Sequence, residues 1–60
     1  MIKVRNKHNG YIVYFKFFAS TTFPNSFWYT KSGENTAFEL GNINDYEPLH
    51  ATWEEINEAK

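Results

Sequence analysis

Sixty residues make one domain, near the lower size limit for a chain that folds alone. With no cysteine, neither a disulfide nor a cysteine zinc site is available to hold it, so twelve aromatic residues must supply the apolar load, each large ring burying roughly 150–250 Å². The net charge of −1 conceals a division: residues 1–33 carry five cations and no acid, and residues 34–60 carry seven acids against Lys60 alone.

That asymmetry points either to a polyanion site or to a basic half paired with its own acidic half. No apolar run approaches the roughly 20 residues that span a bilayer. The opening "MIKVRNKHNG" lacks the apolar core of a secretory signal. A cytoplasmic protein forming one domain over residues 1–60 is the expectation.

In chain order, the first element is a hairpin. "NKHNGYIV" contains Asn9-Gly10, the strongest two-residue signal for a type I′ turn. A two-residue turn there opposes Val4 to Phe15, Ile2 to Phe17, Asn6 to Val13 and His8 to Tyr11, and these pairs share one largely apolar face. The reverse face then carries Lys3 opposite Lys16, Arg5 opposite Tyr14, Lys7 opposite Ile12 and Met1 opposite Phe18. "ASTTFPNS" reads as a loop with turn residues at Pro24, Asn25 and Ser26.

"FWYTK" and "TAFEL" read as two more strands, joined by "SGEN" and ended by Gly41. A turn centred on Gly33-Glu34 opposes Phe27 to Leu40 and Tyr29 to Phe38 on an apolar face, with Trp28 opposite Glu39 on the reverse. "GNINDYEPLH" is polar and turn-prone, with Tyr46 and Leu49 as its anchors. "TWEEINEAK" closes the chain as a short helix over residues 53–59, opened by a Thr52/Glu55 capping box, with Trp53 and Ile56 on the face that docks.

The fold expectation is therefore mostly β: two hairpins in one small, twisted antiparallel sheet of four strands at most, with a short C-terminal helix. A closed small barrel is the alternative, since it removes the unpaired edges that invite association.

Signals for catalysis are missing. There is no phosphate-binding glycine loop, Gly-x-Ser-x-Gly, cysteine nucleophile or paired-histidine metal spacing. His8, His50, Asp45 and Glu47 read as surface groups rather than metal ligands or a catalytic pair, so no cofactor and no metal are expected. The second sheet face is the candidate site. Lys3, Arg5 and Lys16 (with Lys7) interleave with Tyr14, Phe18 and Trp28 there, and tryptophan, tyrosine and arginine are the residues enriched at binding hot spots. The same composition suits single-stranded nucleic acid, cations meeting phosphates while rings stack on bases. A third reading has the acidic helix cover this face, Glu54, Glu55 and Glu58 meeting the lysines and Trp53 covering Tyr14 or Phe18.

Across all sixty residues, from "MIKV" to "WEEINEAK", the chain resembles in general character the short accessory proteins of bacteriophages and prophages, being cysteine-free and rich in asparagine and aromatics. The resemblance implies a non-enzymatic protein that binds and modulates, typically inhibits, a host or phage protein in the host cytoplasm. It carries over no functional residues. A protein partner leads these expectations, nucleic acid is the alternative, a homodimer is open, and no membrane is involved.

Overall fold

The computed structural model describes residues 2–19 and 25–58. It contains five antiparallel strands, β1 (Ile2–Asn6), β2 (Ile12–Phe18), β3 (Ser26–Thr30), β4 (Glu39–Asn42) and β5 (Tyr46–Pro48), followed by one helix, α1 (Trp53–Glu58). They form a single sheet in the order β4-β3-β2-β1-β5. The mostly β architecture with a C-terminal helix is as the sequence predicts, with one strand more: β5 lies inside the segment read as turn-prone. Residues 43–45 join β4 to β5, yet these two strands are the opposite edges of the sheet. The sheet is therefore rolled around its core and left open between them.

Both hairpin registers differ from those expected. In the first, Val4 opposes Val13 and Ile2 opposes Phe15, a shift of two residues. The connection is a four-residue loop, because asparagine side chains build it. Asn6 Oδ1 accepts from the His8 and Asn9 amides at 2.8 and 3.2 Å, and Asn9 Oδ1 accepts from the Tyr11 amide at 2.8 Å. The Asn6 carbonyl accepts from Gly10 at 2.9 Å, and of the loop residues only Gly10 takes a positive φ, 78°. A side-chain-capped turn of this kind competes with the type I′ geometry that requires φ > 0 at two positions.

In the second hairpin Phe27 opposes Gly41 and Trp28 opposes Leu40, a shift of one. Leu40 and Phe38 therefore leave the core face on which they were expected. The reason is steric: a Cβ at Gly41 would stand 3.0–3.2 Å from the rings of Tyr46, Tyr29 and Phe27. Only the glycine fits beneath those rings, and that places Leu40 outward.

Strand β2 carries a bulge between Phe15 and Phe17. The extra residue reverses the alternation beyond it. Phe18, expected on the second face, lies on the core face with its ring centroid 5.0 Å from that of Phe15. Phe17, expected in the core, is 51% exposed on the reverse.

The core consists of Val4, Val13, Phe15, Phe27, Tyr29, Tyr46 and Ile56. Tyr46 donates its hydroxyl hydrogen to the Tyr29 hydroxyl at 3.1 Å, and burial holds the Tyr29 phenol above the usual tyrosine range. Helix α1 closes this face. Thr52 Oγ1 accepts from the Glu55 amide at 3.1 Å and Glu55 Oε1 from the Thr52 amide at 3.2 Å, a complete capping box. The Trp53 ring lies 5.0–6.2 Å from those of Phe27, Phe15 and Phe18, and this docking sustains a helix too short to persist alone. The expected turn at Pro24, the pairing of Met1 with Phe18 and the helix end at residue 59 lie outside the described residues.

Candidate protein-binding face

Because α1 sits on the core face, the acidic helix does not cover the second face, and Trp53 meets Phe18 on the opposite side of the sheet from Tyr14. The second face holds five of the six residues singled out from sequence. In their strands, Lys3 opposes Tyr14, Tyr14 opposes Thr30, and Trp28 stands between Phe17 and Leu40. Phe18 is absent from it, and the bulge has put Phe17 in its place.

Three cross-strand rows organise this face. Leu40, Trp28 and Phe17 form an apolar row over β4, β3 and β2, with Phe38 packed edge-on to Phe17 at 5.7 Å. Thr30, Tyr14 and Lys3 form the middle row, and Ile12, Arg5 and Glu47 the third. Leu40 is 55% exposed, Ile12 48% and Phe38 38%, whereas Trp28 and Tyr14 are half-buried. Polarity thus grades from apolar at β4 to ionic at β1 and β5.

Most of the cations are already engaged. The Arg5 guanidinium donates through Nε to Glu47 Oε1 at 2.9 Å, and Nη2 reaches the same oxygen. Lys31 lies 3.6 Å from Glu39, and His8 Nε2 is 3.1 Å from Asp45 Oδ1. These contacts join the basic first half to the acidic second half. Lys16 Nζ donates to the Gly33 carbonyl at 2.9 Å and to Asn35 Oδ1 at 3.3 Å, which ties residues 31–38 back over the β2 bulge. Among the described residues Lys3, Lys7 and Lys16 have no carboxylate partner, so the face keeps a small positive surplus through Lys3 and Lys16. No group of three or more metal-ligating side chains occurs among the described residues.

Sequence reasoning missed Phe17, Phe38 and Leu40. For Leu40 a signal existed: glycine inside a strand marks a bulge or a close backbone approach, and Gly41 is such a glycine rather than a strand end. For Phe17 there was none, because "FKFF" offers two adjacent rings and period-two alternation does not report an inserted residue.

No family model matches the chain, and neither a curated protein nor a solved structure similar to it was found. No helix among the described residues is long and apolar enough to cross a membrane.

Proposed function

We propose that this chain is a small, non-enzymatic binding protein that engages a protein partner through its second sheet face. The observation that carries the reading is the Leu40–Trp28–Phe17 row, in which Leu40 and Phe17 are more than half exposed on either side of a half-buried Trp28, on the sheet face opposite the helix. Exposed apolar patches rimmed by polar groups mark interaction sites, and a tryptophan flanked by apolar neighbours suits an interface centre. The alternative, single-stranded nucleic acid, loses support from the charge pairing, since Arg5 and Lys31 already face carboxylates. The resemblance to phage accessory proteins favours a host or phage protein as the partner, altered in activity by having a site occupied, in the cytoplasm of the host.

Capture from bacterial lysate with tagged protein tests this, comparing the parent with Trp28→Ala and Phe17→Ala at roughly 50 and 200 mM salt. The expected result is a captured protein that persists at the higher salt and is lost with either variant. Capture dominated by nucleic acid and abolished at the higher salt would overturn the reading. So would capture indifferent to both substitutions.

A further inference from the structure

The two edges of the rolled sheet are finished differently. In an antiparallel ladder successive residues point their backbone groups alternately toward and away from the neighbouring strand. On β5, the bonds from Lys7 N to Asp45 O (2.9 Å) and from Leu49 N to Lys3 O (3.2 Å) turn the odd-numbered residues toward β1. Tyr46 and Pro48 therefore point to the open side. Proline has no N–H to offer there, and the Tyr46 carbonyl accepts from Trp53 Nε1 at 3.2 Å. This edge is largely closed.

On β4, Ile43 N donates to Asn25 O at 2.9 Å. Continuing that alternation through the observed register turns Gly41 and Glu39 toward β3 and leaves Leu40 and Asn42 facing outward. The Asn42 carbonyl accepts from the Asp45 amide at 2.9 Å. The Leu40 N–H and C=O and the Asn42 N–H have no partner among the described residues. Neither a proline nor a lysine guards this strand, although those residues are the usual protection of an edge. Glu39 is neutralised by Lys31. Along the edge runs a cleft of about 520 Å³ lined by Leu40, Gly41, Asn42, Tyr46, Asn6 and His8, among others.

We infer that β4 is a strand-acceptor edge, and that the partner of the second face supplies an extended segment which pairs with it. The inference rests on the protein-binding reading above and names how that partner is held. An extended backbone is the ligand that matches outward N–H and C=O groups repeating at every second residue. Its alternate side chains fall beside Leu40 and continue the Leu40–Trp28–Phe17 row, so they are apolar. A second copy fits less well. It offers only the same four-residue strand with one outward carbonyl already used, and edge-to-edge pairing leaves Trp28 and Phe17 uncovered.

A sixty-residue chain is within reach of total synthesis, and that permits a test confined to one amide. N-methylation of Leu40 removes an outward N–H and blocks an incoming strand while keeping the leucine side chain and the β3–β4 ladder. The probe is a synthetic decapeptide of alternating valine and threonine, with a version interrupted by a central proline, which has no N–H for the ladder, as control. The expected results are slowed exchange at the Leu40 and Asn42 amides on adding the peptide, weaker binding of the proline-interrupted peptide, and about a tenfold loss of affinity on N-methylation, at an unchanged melting temperature. The inference is overturned by equal binding to the N-methylated chain, by no change in exchange, or by amide protection that grows with protein concentration without peptide, which would identify a second copy. Loss of lysate capture in Trp28→Ala together with full capture by the N-methylated chain would remove the edge and leave the face. Full capture by both would remove both.

Discussion

The two hairpins of this sheet each depart from the register their turn residues suggest, with opposite consequences. The β1–β2 hairpin slips by two residues, and the paired side chains of β1, and of β2 as far as Phe15, stay on their expected faces. The β3–β4 hairpin slips by one, and Leu40 changes sides. The side-chain period of a strand is two, so the parity of a register error matters more than its size. The bulge in β2 is the same lesson within one strand: a single inserted residue exchanges Phe17 for Phe18.

Rings on the two sides of the bulge should respond differently to deletion. Phe15→Ala is expected to cost about 3–5 kcal/mol, enough to unfold a domain this small. Phe17→Ala, with its ring half in solvent, should stay folded with a midpoint near that of the parent. Equal losses in denaturant titrations would mean that β2 has no bulge in solution.

Gly41 probes the second hairpin. Gly41→Val forces a branched side chain into rings 3.0–3.2 Å from its first atom, and overpacking of this kind costs about 1–3 kcal/mol. Leu40→Ser, one position away on the open face, should leave the melting temperature within a few degrees of the parent. If the serine variant is the less stable of the two, the one-residue slip is wrong.

The two hairpin connections each hold a residue of positive φ whose substitution should have a different sign, Gly10 in the first and Ala37 in the second. Gly10→Val should destabilise by more than about 1 kcal/mol, since a branched residue resists the φ of 78°. Ala37, in the connection of the second hairpin, holds a φ of 57° without being glycine. Ala37→Gly should therefore be neutral or stabilise by up to roughly 1 kcal/mol, an effect calorimetry resolves. A clear loss of stability in Ala37→Gly would show that the left-handed conformation there carries no strain.

Smallest of all is the ion pair that ties β1 to β5. Arg5→Met should cost no more than about 1 kcal/mol, because both side chains are well exposed and exposed pairs contribute little. A larger loss by thermal melting would assign the β5 edge a share of stability that its hydrogen bonds do not suggest.

Much of the molecule follows from local chemistry in the sequence alone. Thr52 and Glu55 cap a helix wherever a helix starts there, because their bonds close within one turn. Asn9-Gly10 marks a reversal, and Val4, Val13 and Phe15 share a face because alternation is a property of the strand itself. Lys3, Arg5, Tyr14, Lys16 and Trp28 were legible as one surface for the same reason. Tertiary structure decided what depends on contacts between distant residues. Gly41 is a packing position only once Tyr46 and Tyr29 converge on it. Strand β5 exists only because β1 presents its free side to Tyr46–Pro48. The placement of Phe17, and the helix lying behind the sheet rather than over its basic aromatic face, depend on a bulge and on a core that no window of neighbouring residues contains.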